Sequence, residues 1–325
     1  MSKKLSIIVP VYNVDKYIER CILSIVTQNV STEHYELIIV NDGSTDDSRL
    51  ILSHLQDEYP FIQIIDKKNG GLSSARNAAI ERASGNYFFF LDSDDWISND
   101  SLNFLLQWIE EYPIDILMFG VCEIYDSGKQ HYLTKNLSSN NQVLLVEEYL
   151  VDYTLRSSSC MSLFHRDIFF KHNVKFREGF MSEDDDFIVR AFSVSRQIVC
   201  NNKVVYYYYQ RSGSISNSVQ QAHNKKLIKD KTQLLVGLVE YVRPFRGKMK
   251  QGLDRKLDFL AVDIIRLLIR KNQSKETINE ILQKLRSIGY FPIRKASYLL
   301  KYKLFRIIFQ TSFSVKFARP FKKYI

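Results

Sequence analysis

Two acidic clusters carry the residues best suited to chemistry. Asp92-Ser93-Asp94-Asp95 follows the apolar run Tyr87 to Leu91, and Glu183-Asp184-Asp185-Asp186 stands just before Phe187. In the first, carboxylates two positions apart beyond an apolar strand can set one on a divalent cation and the other on a neighbouring hydroxyl or the same ion. Hard oxygen ligands suit Mg2+ or Mn2+, and Mg2+ typically takes one or two carboxylates and leaves the rest of its shell to substrate phosphates and water. Such an ion would neutralise a leaving diphosphate. The same Asp and Ser can instead cap the helix that begins near Ser101, and the tripeptide alone leaves both uses open. In the second cluster four like charges in a row repel, which predicts a raised carboxyl pKa in at least one of them, as suits a general base. A run of acids at a helix start also complements the helix dipole without any catalysis.

These clusters need a scaffold, and the first hundred residues have a regular one. Leu5 to Val11 is a β-branched apolar run, and Val14 to Gln28 then repeats apolar residues at helical spacing. Glu36 to Val40, Phe61 to Ile65 and Asn86 to Leu91 read as further strands, with helices over Asp46 to Tyr59 and Leu72 to Ala83 between them. Nearly continuous apolar strands joined by helical crossovers predict a parallel sheet covered on both faces. Ligands bind such sheets beyond the carboxyl ends of the strands. At those ends stand Tyr12-Asn13, Asn41-Asp42-Gly43-Ser44, Asp66 with Asn69-Gly70-Gly71, and the first acidic cluster. Carboxylates along one sheet edge suit a cation-bound, sugar-like ligand. Farther on, Ile114 to Val121 and Ile198 to Tyr209 read as strands and Asp184 to Ser195 as a helix, while Glu147 to Leu155 fits helix or strand equally. Beyond residue 216 the pattern is helical: Leu257, Leu260, Ala261, Ile264, Ile265, Leu268 and Ile269 make one apolar stripe, and Leu300, Leu304, Ile307 and Ile308 another.

Four segments taken together carry a family resemblance. Ile7 to Asn13 (IIVPVYN), Val40 to Asp46 (VNDGSTD), Asn69 to Asn77 (NGGLSSARN) and Phe90 to Asp95 (FLDSDD), in that order and at sheet ends, resemble the inverting family 2 glycosyltransferases. The resemblance covers residues 4–215, densely to residue 97. It implies an α/β GT-A fold, with a Rossmann-like, mostly parallel sheet flanked by helices, and a nucleotide-activated sugar as donor, here a UDP-sugar. Carried over by position, it implies that Pro10, Tyr12 and Asn13 line the nucleotide pocket, with Tyr12 stacked on the base. It places Asp42 on the uracil ring, Asn69 in the same pocket, Arg76 on the base or diphosphate, and Asp92 on the ribose or donor sugar. Asp94 matches the metal-binding position of the DXD motif. The spacing Glu-Asp-x-x-Phe at Glu183-Asp184 resembles the family's ED motif, which makes Asp184 the candidate base and Glu183 its orienting neighbour.

The chain departs from the family pattern in places. Relatives often read Trp-Asn-Lys-Leu-Tyr where this chain has Cys160-Met161-Ser162-Leu163-Phe164, which puts acceptor or phosphate contacts there in doubt. The Gln-x-x-Arg-Trp signature of processive relatives is missing, and Gln210 to Ser216 stands in that place, so transfer of a single sugar is expected. His223 is a candidate third metal ligand, although a lone His in a polar stretch is ordinarily solvated.

At 325 residues the chain has room for about two domains. The expected division is a catalytic domain over 1–215 and a basic, amphipathic helical region over 216–325. The net charge of +9 conceals a split: residues 1–224 hold 20 Lys and Arg against 29 Asp and Glu, net −9, and residues 225–325 hold 25 against 7, net +18. A basic region interleaved with Tyr298, Tyr302, Phe305, Phe309, Phe313, Phe317 and Phe321 fits an interfacial helix on an anionic membrane, or a bundle that packs its apolar stripes and leaves a basic face in water. No nucleic-acid-binding fold accompanies it, so no nucleic acid partner is expected. Cys21, Cys122, Cys160 and Cys200 form no Cys-x-x-Cys pair and read as reduced and buried. Lys3-Lys4 and the short run after it are too brief for a signal peptide, and no stretch of about 18 apolar residues occurs. The expectation is a cytoplasmic enzyme, peripheral to the inner face of the membrane, acting on a lipid-linked saccharide in surface-polysaccharide synthesis. The rival readings are a sugar-nucleotide pyrophosphorylase, which would want a Gly-rich basic loop after the first strand, and a non-catalytic membrane adaptor.

Overall fold

The computed structural model describes residues 3–134, 141–210, 220–293 and 305–317. The chain forms two compact units, each assembled from separate stretches of sequence: residues 1–146, 158–179 and 190–212 make the first, and residues 147–157, 180–189 and 213–325 the second.

The first unit is built on a ten-stranded mixed sheet. Its first half alternates β1 (Leu5–Val11), α1 (Ile18–Val26), β2 (Tyr35–Asn41), α2 (Ser48–Glu58), β3 (Ile62–Asp66), α3 (Leu72–Ile80) and β4 (Tyr87–Phe90). Every residue of β1, β2 and β4 is buried, which explains why the strands read as nearly continuous apolar runs rather than alternating ones. The chain continues through β5 (Trp96–Ile97), α4 (Ser101–Glu111), β6 (Ile116–Tyr125), β7 (Gln130–Tyr132), β8 (Leu144–Leu145), α5 (Val146–Asp152), β9 (Ser162–His165), α6 (Asp167–Phe170), α7 (Glu183–Val194) and β10 (Gln197–Gln210), of which α5 from residue 147 and α7 up to residue 189 belong to the second unit. The strand order is β3-β2-β1-β4-β9-β6-β10-β5, with β7 on β6 and β8 on β10. Pairing is parallel from β3 through β4 and between β6 and β10, whereas β9 runs antiparallel to both β4 and β6.

This is the mostly parallel sheet flanked by helices that the family resemblance implies, and β9 runs antiparallel between its two parallel blocks. The ambiguous stretch at 147–155 contains a helix, α5. All four cysteines are free and buried, as expected. One buried acid pins the unit's lower edge: Glu36 of β2 accepts from Ser6 Oγ at 2.6 Å, Ser84 N at 2.6 Å and Gln63 Nε2 at 3.1 Å. Burial opposes its charge, but these hydrogen bonds prevail and hold the carboxyl below its ordinary range.

The second unit contains α8 (Gln221–Val242), α9 (Gly247–Arg270), α10 (Lys275–Ser287) and α11 (Ser312–Phe317). Ser274 caps α10 by accepting from Thr277 N at 3.2 Å. The stripe Leu257, Leu260, Ala261, Ile264, Ile265, Leu268 and Ile269 is buried, so the amphipathic pattern of α9 serves packing. Gly252 marks its tightest contact: a Cβ there would stand 2.2 Å from Leu150 Cβ on α5. Among the described residues no helix is long and apolar enough to cross a membrane. Tyr298, Leu300, Tyr302, Leu304 and Phe321 of the predicted tail lie outside the described residues, as do Arg211 to Ser216.

Candidate active site

Eight of the ten predicted site residues gather at the carboxyl ends of β1 to β4, and hydrogen bonds stitch these ends together. After β1, Asn13 adopts a left-handed conformation (φ 52°) and its Oδ1 accepts from Thr45 N at 2.8 Å, while its own N–H donates to Ser44 Oγ at 3.2 Å. That ties the first strand's end to the second's. Pro10 is buried inside β1, whereas Tyr12 is 49% exposed and offers a free aromatic surface. Only a glycine fits at position 43, which has φ +72° and where a Cβ would stand 2.9 Å from Asn69 N.

Asp42 is only 2% exposed. Its carboxylate accepts from Gly70 N at 2.9 Å, Gly71 N at 2.7 Å and Lys67 Nζ at 2.5 Å. It therefore fastens the 67–71 loop that carries exposed Asn69. Lys67 was not singled out from the sequence; a cation two residues before Asn69 was its only signal.

Arg76 lies on α3 and is 1% exposed. Its guanidinium stands 5.0 Å from the Phe176 ring, and Nη2 donates to Asp92 Oδ1 at 2.8 Å and contacts Cys160 Sγ at 3.8 Å. The Asp92 side chain stays 35% exposed. Arg76 thus aims a half-open carboxylate from behind. Cys160 is buried at the start of the segment that departs from the expected family pattern, and Ser162 is buried in β9.

The turn after β4 is held from several sides. Asp95 N donates to Asp92 O at 3.0 Å, Arg20 Nη2 donates to Asp94 O at 2.9 Å, and Arg20 itself stacks 3.8 Å over Trp96 and 4.6 Å over Tyr209. Asp95 is buried, accepts from the Tyr206 hydroxyl and takes Tyr209 N at 2.7 Å. Burial pushes its carboxyl well above the ordinary range, and the charges of Asp94 and Asp92 push it further. Asp95 is a support that sequence reasoning missed, because its partner Tyr206 lies 111 residues away. Helix α4 begins at Ser101 with Asp100 at its N-cap position, so Asp92 and Asp94 do not cap it. The half-buried Asp94 offers the hard carboxylate oxygen that Mg2+ and Mn2+ prefer, and among the described residues no group of three or more His, Cys, Asp or Glu is placed to hold a metal ion.

Glu183 and Asp184, the other two predicted residues, belong to the second unit and open α7 half-buried. All four acids fall in the first turn of that helix, where they complement its dipole. The raised carboxyl expected of this run is reversed at Asp185: burial opposes its charge, but Lys231 and Lys256 hold it well below the ordinary range. His223 stands on α8 of the second unit.

Comparison with known proteins gives this site its lineage. The sequence pattern described as Glycosyl transferase family 2 matches residues 6–172. The chain belongs to that family. This family 2 chain is 33% identical over 222 residues to Glycosyltransferase GlyA of Streptococcus pneumoniae serotype 4, covering 66% of the chain and 31% of that protein. It is 28% identical over 220 residues to the poly(ribitol-phosphate) beta-N-acetylglucosaminyltransferase TarS of Staphylococcus aureus, covering 66% of the chain and 37% of TarS. The chain thus matches about a third of the length of these two relatives. The crystal structure of S. aureus TarS 1–349 superposes with a TM-score of 0.63 at 18% identity, over 98% of this chain and 91% of that one, and establishes the GT-A fold.

Proposed function

We propose that this family 2 member transfers one sugar, with inversion, from a UDP-sugar to a saccharide hydroxyl. The observation that carries the proposal is the joined strand-end constellation: exposed Tyr12, the Asp42-fastened loop with Asn69, and Asp92 aimed by Arg76. In this reading Tyr12 stacks on the base, Asp42 meets the uracil imide, and Pro10 and Asn13 shape the pocket. Lys67 already holds one Asp42 oxygen, so uracil would share or displace that ammonium.

Asp94 would hold the Mg2+ or Mn2+ ion, which when bound offsets charge on the departing diphosphate. Asp92 faces the ribose or donor sugar. Asp184 takes the proton from the acceptor hydroxyl as its oxygen bonds to the anomeric carbon and the bond to the diphosphate breaks, and Glu183 orients that exchange. The donor assignment draws support from S. aureus TarS, crystallised with UDP-GlcNAc and with UDP. A second neighbour, a mannosyltransferase from Pyrobaculum calidifontis, was crystallised with GDP-Man and Mn2+.

For the acceptor we propose a lipid-linked saccharide of a surface polysaccharide, reached at the cytoplasmic face of the membrane through the basic region 225–325. Support comes from its net +18, from a Bacillus subtilis relative named as a minor teichoic acid biosynthesis protein, and from TarS, named as a poly(ribitol-phosphate) transferase. A thermal-shift series with UDP and GDP, each with and without Mn2+, tests the donor reading. UDP at 100 times its dissociation constant should stabilise the protein by about 2.7 kcal/mol, and GDP by less. No shift with any nucleotide, with or without metal, would contradict the proposal.

A further inference from the structure

Glu183 and Asp184 lie between two anchors on a single helix. On one side Met181 donates its backbone N–H to Asp230 Oδ2 at 2.8 Å. On the other, the buried Asp185 carboxylate receives Lys231 Nζ at 2.8 Å, Lys256 Nζ at 3.3 Å and the Ser157 hydroxyl. Asp230 and Lys231 are consecutive residues of α8, so one turn of that helix grips both ends of the segment. The grips are themselves braced: Asp263 of α9 accepts from Lys231 at 2.7 Å, Lys226 donates to Asp230 at 2.5 Å, and Lys256 donates to Ser157 Oγ at 2.5 Å.

Between the anchors, Ser182 has φ +63°, a conformation that a residue with a Cβ keeps only where its surroundings enforce it. Asp185 N then closes the turn on Ser182 O at 3.0 Å. A network of two buried lysines is a poor way to gain stability alone, because apolar side chains of similar volume often do at least as well. What directional ion pairs add is a single fixed geometry. Here the fixed element is the turn whose middle residues are half-exposed carboxylates.

We propose that Asp230, Lys231 and Lys256 are positioning residues, which hold the 181–185 turn so that the Asp184 carboxylate keeps one orientation toward the acceptor. This rests on the reading of Asp184 as the base. It also gives the helical region a role in the reaction in addition to docking.

A double-mutant cycle tests it, following UDP release from a mixture of UDP-glucose, UDP-galactose and UDP-N-acetylglucosamine at a temperature where circular dichroism shows each variant folded. Asp230→Ala should lower kcat about tenfold or more, since small misplacements of a reacting group are costly. The KM for the donor and the UDP thermal shift should stay within twofold of wild type. In an Asp184→Asn background the same Asp230→Ala change should alter kcat less than twofold, which a general loss of stability would not produce. If Asp230→Ala fails to fold, the volume-matched triple variant Asp185→Leu, Lys231→Met, Lys256→Met replaces it, with the same expectations. Equal losses in both backgrounds, or no loss in either, would overturn the positioning role while leaving the base assignment intact. A silent Asp184→Asn change would overturn the base assignment, and the positioning role with it.

Discussion

Asp184→Asn is expected to lower donor turnover by about 10²–10⁴-fold while leaving UDP binding unchanged, the range that general-base removal ordinarily costs. Asparagine keeps the size and much of the hydrogen bonding of aspartate but cannot take the proton from an acceptor hydroxyl. The prediction is specific to this position in the acidic run. Asp185 is buried and committed to Lys231 and Lys256, and Asp186 is fully buried, whereas Glu183 and Asp184 are half-buried at the helix start. Steady-state UDP release and calorimetric titration with UDP, run on the same preparations, separate the two quantities. Turnover within threefold of wild type would remove Asp184 from the reaction.

The second large effect is expected at Arg76. It is buried, yet its guanidinium pairs with a carboxylate that remains open to ligand. Replacing Arg76 by Met removes a charge-assisted hydrogen bond worth about 1.5–3 kcal/mol, and the half-exposed Asp92 then relaxes toward solvent. UDP-sugar affinity should fall by about ten- to a hundredfold. Arg76→Lys should recover little, because an ammonium lacks the planar fork that spans Asp92 and the Phe176 face. Calorimetric titration of both variants reads the loss directly, and wild-type affinity in Arg76→Met would exclude the Arg76–Asp92 pair from the donor site.

The parts of this protein written locally were legible in its sequence. Leu5 to Val11 and Tyr35 to Asn41 are fully buried strands, and nearly continuous apolar runs, broken by Ser6, Glu36 and Asn41, announce them. Turn residues at their ends mark the candidate site. What stayed hidden depends on long-range pairing. Strand β5 has two residues and exists because Trp96 and Ile97 pair with Tyr207 and Tyr206. Strand β9 reads as an irregular stretch until it is seen to bridge β4 and β6.

Charge was the least legible property. Lys231 and Lys256 count toward the +18 of the basic region, yet both are buried against Asp185, a residue of the acidic portion. A sum over sequence cannot separate a solvated lysine from one consumed in a core ion pair. Among the described residues, at least these two lysines are not part of a solvated basic face.

The most direct measurement is proton NMR of the sugar released to water from UDP-α-glucose, UDP-α-galactose or UDP-α-N-acetylglucosamine. Inversion predicts that the β-anomer appears first, before mutarotation mixes the two forms. First appearance of the α-anomer would contradict a single displacement assisted by Asp184.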